Sequence, residues 1–117
     1  MAVDLSSLNE VDGFVGAALV DGSSGMSMGK EGGGPVDLDV AAAGNTEIIQ
    51  AKRRVASALN LNDTIEDLLI TLGKQYHLIR PLANNPEVFI YLVLDRNRAN
   101  LGMARHQLKS FESTISI

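Results

Sequence analysis

The chain has 117 residues, 45% of them hydrophobic and 21% charged, with a net charge of −4 and no cysteine. That length fits one domain with a core of its own, residues 1–117, and the missing cysteines exclude disulfides, thiolate catalysis and cysteine zinc sites. Residues 1–50 carry one basic and eight acidic side chains and residues 51–117 nine basic and six acidic, with aromatics at only 4%; without a dense basic stripe or stacking platforms the chain is not a nucleic-acid binder.

Taken in order, Asp4–Glu10 reads as a short helix capped by Asp4 and ended by Gly13. Phe14–Asp21 is a run of consecutive apolar residues, the pattern of a strand buried on both faces. Asp21-Gly22-Ser23-Ser24-Gly25 is a turn by composition, and Met26–Lys30 alternates as a half-buried strand returning antiparallel. Gly32-Gly33-Gly34-Pro35 is a loop. Asp37–Asn60, DLDVAAAGNTEIIQAKRRVASALN, has the composition of one long helix, with Asp37 or Asp39 as its cap.

At about 100° per residue, the apolar arc of that helix is too wide for a single contact. Leu38, Ala42, Ile48, Ile49, Val55, Ala56 and Leu59 form a bulky part, and Val40, Gly44, Ala51 and Ala58 a small-residue part beside it. Asp39, Thr46, Gln50, Arg53 and Arg54 lie opposite. A surface helix normally buries one stripe, so this one calls for two partners: a sheet, and either the same helix in a second copy of the chain or another helix of its own. Asn45 and Lys52 fall inside the apolar arc, where polar groups on a buried seam can fix the register of paired helices. With Arg53 and Arg54 they border a groove where a partner would dock; the plainer reading of Lys52-Arg53-Arg54 is a solvated helix face.

Leu61-Asn62-Asp63 turns, and Thr64–Leu72 is a strand carrying Leu68, Leu69, Ile70 and Leu72. Gly73-Lys74 is a hairpin connection, and Gln75–Leu82 is the return strand with Pro81 near its end. Glu87–Asp95 is apolar on both faces and belongs in the middle of the sheet. Its run Val88–Leu94, seven residues, is far too short to span a membrane. With Asp4 early and no long apolar run near the start, no signal peptide is read, and the expected location is the cytoplasm. Asn97 caps a last helix from Arg98 to Glu112, with Leu101, Ala104, Leu108, Phe111 and Ile115 at helical spacing.

Helix, two strands, long helix, three strands, helix gives an α/β (α+β) fold. Its five-stranded antiparallel sheet has the order 2-1-5-4-3, with the long helix on one face and the two terminal helices on the other. The edge strand Thr64–Leu72 is strongly apolar, and exposed apolar edges invite pairing.

This arrangement resembles the Roadblock family of dynein light-chain-like domains, a Roadblock/profilin-like architecture. The resemblance rests on Val11-Asp12-Gly13-Phe14-Val15-Gly16-Ala17-Ala18-Leu19-Val20-Asp21 followed by Gly25, on the alanine-rich helix from Leu38, on the strand Thr64–Leu72, and on Val88–Asp95 running into a terminal helix. It implies a homodimer with no catalytic centre and no cofactor. Such dimers regulate or dock small Ras-like GTPases in prokaryotes and serve as adaptors or scaffolds in eukaryotes. The expected dimer interface is Gly44, Ile48, Ala51, Lys52, Val55, Leu68, Ile70 and Leu72, and the expected partner docking residues are Asn45, Lys52, Arg53 and Arg54.

Enzyme chemistry finds no support. Gly25–Glu31 falls one residue short of phosphate-loop spacing, with Glu31 where the hydroxyl must stand. His77 and His106 have no ligand partners at metal spacing. Glu66 and Asp67, adjacent on a strand, point to opposite faces and cannot act as an acid/base pair. A small-ligand sensor domain of the profilin- or PAS-like kind and a purely structural adaptor are the alternatives to a GTPase partner.

Overall fold

The computed structural model describes residues 3–115. Two strands with few polar side chains make its centre: β1, Phe14–Asp21, and β5, Val88–Asp95, pair antiparallel. On β5 every residue from Val88 to Leu94 is buried, which an uninterrupted apolar run requires. β2, Met26–Gly32, pairs with the other side of β1, and β4, Gln75–Pro81, with the other side of β5. β3, Leu68–Thr71, is the far edge, so the sheet order is β2-β1-β5-β4-β3, all antiparallel.

Alternation along the strands divides the core into two layers. Ala17, Leu19, Leu78, Ile90, Leu92 and Leu94 pack with Leu5, Leu8 and Val11, and with Ala104, Leu108 and Phe111 of α2, Leu101–Glu112. Ala18, Val20, Ile79, Phe89, Tyr91 and Val93 pack with Leu38, Ala42 and Ile49 of α1, Leu38–Ala58. α1 packs most closely over β1 and β2, and Ile79 of β4 in the same layer is also fully buried.

Capping sets where the helices start. Asp37 accepts from the N–H groups of Asp39 and Val40 at 3.1 and 3.2 Å, while Asp39 holds Lys30 Nζ at 3.0 Å and Ser27 Oγ at 2.9 Å. The last helix begins three residues later than Arg98. Asn100, not Asn97, is its cap and accepts from the N–H of Met103 at 3.0 Å. The Asn97 N–H instead donates to the Asp95 carboxylate at 3.0 Å, in a turn that delays the helix.

Two further expectations are corrected. Ser6–Glu10 is a 3₁₀ turn, not an α-helix, so the described residues contain two α-helices rather than three. A segment this short cannot sustain α-helical bonding alone, and the Asp4 carboxylate bonds the Ser6 N–H at 2.8 Å instead. β3 is also four residues shorter at its start than the strand expected from Thr64. The pairs Leu68–Ile79 and Ile70–His77 share the register of Leu72–Gln75, where the Leu72 N–H donates to the Gln75 carbonyl at 2.9 Å. Odd-numbered β4 residues therefore bond to β3, and the next would be Pro81, opposite Glu66. Proline has no N–H to offer, so the ladder stops and the chain before Leu68 leaves β4.

Candidate interaction face

α1 buries one stripe under itself: Leu38, Ala42, Asn45, Thr46 and Ile49. This corrects the division of its arc. Thr46, read as facing outward, is buried because its hydroxyl donates to the Ala42 carbonyl at 2.8 Å. Asn45 is not available to a partner either. It is 7% exposed, and its amide donates to the Ala41 carbonyl at 2.8 Å. Gln50 reaches back to the Gly22 carbonyl at 3.0 Å. Polar groups satisfied by nearby backbone can sit inside, and that let Asn45 and Thr46 take the sheet side while Gln50 stays exposed.

The bulky residues Ile48, Val55 and Leu59 then face out with Val40, at 41%, 48%, 61% and 68% exposure. Gly44 joins them, with open space where a Cβ would stand. Positions 40, 44, 48, 55 and 59 lie on one side of the helix, giving an apolar stripe with a notch at Gly44. Lys52 and Arg54 are exposed along it, and Ala51 is half-buried. Arg53 is tied to its own chain, its guanidinium donating to the Pro86 carbonyl at 2.6 Å.

On the same side of the sheet the β3 edge is only partly covered. Leu68 and Ile70 are half-buried on the α1 side, and Leu72, just past β3, is exposed. The register that bonds Leu68 and Ile70 to β4 leaves the backbone groups of Leu69 and Thr71 pointing away from the sheet. The α1 stripe and the β3 edge are apolar surfaces exposed on this side of the molecule, while Ile79 and Pro81 of β4 are buried there, with Ile65 packed on the same layer.

His77 sits on that side of the sheet, paired in register with Ile70. Its Nδ1 lies 2.9 Å from the Tyr91 hydroxyl and its Nε2 2.9 Å from the Gln75 side-chain oxygen. An amide oxygen only accepts, so Nε2 carries the proton and Nδ1 accepts from the Tyr91 O–H. The rings meet edge-on at 5.5 Å. Burial lowers the His77 pKa below its ordinary 6.5 and raises that of Tyr91, with the Asn45 amide pulling the other way. The folded state therefore favours neutral His77. Its contribution is fully present above pH 6.5 and is lost as pH falls through the lowered value. The displaced carboxylates Asp4, Asp21 and Asp39 have pKa values lowered from 3.8, so their contributions fade only at greater acidity. Between about pH 5 and 7, urea denaturation should show stability falling toward the acid side, and His77→Gln should flatten that slope. An unchanged slope would remove His77 as its source.

No group of metal-ligating side chains is found among the described residues, and no helix there is long and apolar enough to cross a membrane. Sequence reasoning missed the inward turn of Asn45, although positions 38, 42, 45 and 49 share one helical stripe. It also missed the Arg80–Glu112 pair. Arg80 alternates with Leu78 and Leu82 on an apolar strand face, which demands a carboxylate from the covering helix.

No family model and no curated protein matches this sequence. Solved structures do. A Roadblock/LC7 domain from Streptomyces avermitilis superposes with a TM-score of 0.85 at 13% identity, over 97% of this chain and 94% of that one. MglB of Myxococcus xanthus gives 0.76 at 16% identity, over 92% and 75%. The gliding protein MglB of Thermus thermophilus gives 0.78 at 18%, over 92% and 79%. At these identities the likeness is one of architecture: the chain has the Roadblock/LC7 fold.

Proposed function

We propose that this chain is a non-enzymatic homodimeric interaction module that docks or regulates a small Ras-like GTPase. The supporting observation is the exposed apolar stripe Val40–Leu59 of α1, with the half-buried Leu68 and Ile70 and the open edge of β3 on the same side of the sheet. Contiguous exposed apolar surface marks an interaction site. A two-fold dimer suits it, because the same patch on both copies is self-complementary. Two β3 edges would pair antiparallel through Leu69 and Thr71 into one ten-stranded sheet. The two α1 stripes would lie side by side over the junction, closest at Gly44.

Gly44, Ile48, Ala51, Lys52, Val55, Leu68, Ile70 and Leu72 make up the proposed interface, with Lys52 and Arg54 at its border for a partner. The GTPase as partner class comes from the Roadblock resemblance, and one of the similar structures is described as MglB with a tetrameric arrangement. The same reading takes residues 1–117 as one cytoplasmic domain without a cofactor.

Light scattering at about 100 μM should give twice the chain mass, since apolar interfaces of this kind hold well below that concentration. A monomer there would overturn the proposal. The partner class is tested separately, by titrating the dimer with the small Ras-like GTPase encoded nearest to it, loaded with a GTP analogue. A dimer that fails to bind it would be left as a structural adaptor. The small-ligand sensor reading has one observation on its side, a cavity at the end of β4.

A further inference from the structure

That cavity is a half-open cleft of about 960 Å³ between the C-terminal half of α1, residues 60–66 and the end of β4. Small-molecule sites run to about 1,000 Å³. It exists because β3 stops at Leu68. Pro81 offers no donor to a longer strand, and the next N–H along that edge, of Ala83, is taken by the Glu112 carboxylate at 2.6 Å. The chain from Asn60 to Glu66 therefore stands off β4 and the space stays open. Asn60 and Asn62, at φ 54° and 53°, make the bends that carry it away.

The cavity is lined by charges of both signs. Arg53 and Arg80 line it, as do Asp63 and Glu66 from the segment that stands off. Arg80 is only 8% exposed. Its Nε donates to Glu112 at 2.6 Å, and its two terminal nitrogens bond no other described residue. No buried side-chain nitrogen or oxygen lacks a partner among the described residues, so those N–H groups must reach open space, and Arg80 borders this cavity. Arg53 spends one terminal nitrogen on the Pro86 carbonyl. Neither arginine forms an ion pair with Asp63 or Glu66 among the described residues. Ala56, Ile65 and Leu82 supply apolar wall.

Two guanidinium groups alone would suit a simple anion. Two carboxylates on the same cavity repel a polyanion and attract an ammonium group. We propose that the cavity binds a small zwitterion with an aliphatic body, a free α-amino acid or a peptide of two or three residues. Its carboxylate meets Arg80 and Arg53, its ammonium meets Glu66 and Asp63, and its side chain lies on Ile65 and Leu82. The site shares no residue with the proposed dimer interface, so it stands whether or not the dimer does.

The test uses the full chain and two probes, L-leucine and dileucine, with acetate and inorganic phosphate as single-sign controls. One probe should shift the backbone amides of residues 60–66 and 80–83 saturably, with a Kd at or below about 1 mM. Leucine saturating first identifies a free amino acid; dileucine saturating first identifies a peptide. Arg53→Gln and Glu66→Gln should each weaken binding at least about tenfold. Arg80→Met combined with Glu112→Leu should abolish it while the amide spectrum outside the site stays folded. The proposal is overturned if neither probe saturates, if acetate or phosphate binds as tightly as the better probe, or if both single variants bind as the parent does.

Discussion

Glu112→Ala should cost the fold about 1–3 kcal/mol, the penalty for leaving the Arg80 guanidinium and the Ala83 N–H without their acceptor. Glu112 and Arg80 form the most enclosed ion pair among the described residues, with side chains 12% and 10% exposed and Nε to Oε1 at 2.6 Å. The same carboxylate accepts from the Ala83 N–H at 2.6 Å, so it fastens α2 to the end of β4 with both oxygens. Burial pushes its pKa up, but the Ala83 N–H and the Arg80 guanidinium pull harder the other way, and the net value lies below the usual 4.5. The contribution is therefore present above about pH 4.5 and lost as pH falls through the lowered value.

Removing both charges is a different experiment from removing one. Arg80→Met with Glu112→Leu deletes the desolvation cost along with the attraction, and such replacements are often neutral or stabilising. The double variant should stay within about 1 kcal/mol of the parent, and Glu112→Gln should fall between the two because it keeps an acceptor for Ala83. Urea denaturation at pH 7 measures all three. If Glu112→Ala loses less than about 1 kcal/mol, the pair is behaving as a solvated surface bridge and the description of this corner is wrong.

The sheet order was readable from sequence because its two central strands are uninterrupted apolar runs and the hairpin-connected strands lie beside their chain neighbours. What escaped was decided by single hydrogen-bonding groups rather than by periodicity. Pro81 was seen as belonging near a strand end, but its effect falls on the partner strand: it denies Glu66 a donor and shortens β3 to Leu68–Thr71. Asn45, Thr46 and Gln50 counted as polar, yet each is satisfied by backbone and two of them are buried. With the stripe that holds Asn45 and Thr46 turned to the sheet, Leu59 faces outward together with Ile48 and Val55, the two expected from sequence at the dimer interface. The width of the apolar arc was legible all the same, and so was the need for a second partner that it implied.

Ile48→Glu together with Val55→Glu should convert the protein to a folded monomer. Both side chains are already about half in water, at 41% and 48% exposure. In the isolated chain their replacement should change stability by no more than about 0.5 kcal/mol each. In the proposed dimer the same carboxylates would be buried without partners at several kcal/mol apiece, and each dimer holds two copies of each. A combined loss of about 6 kcal/mol raises Kd roughly 10⁴-fold, enough to leave monomer at the ~100 μM where the parent is dimeric.

Ile70→Lys, the obvious choice from sequence, is less clean. Ile70 packs against its own core and its N–H is turned toward His77, so a charge or a proline there damages the monomer as well. The backbone edge is better tested with Thr71→Pro, whose side chain is exposed and whose N–H faces outward. It removes a donor from the proposed strand pair and none from the β3–β4 ladder. Lys109→Glu, on the outer side of α2, should leave the dimer intact. If the helix variants and Thr71→Pro all remain dimeric and folded, the two copies do not meet on this face, and the outer surface of α2 becomes the place to look.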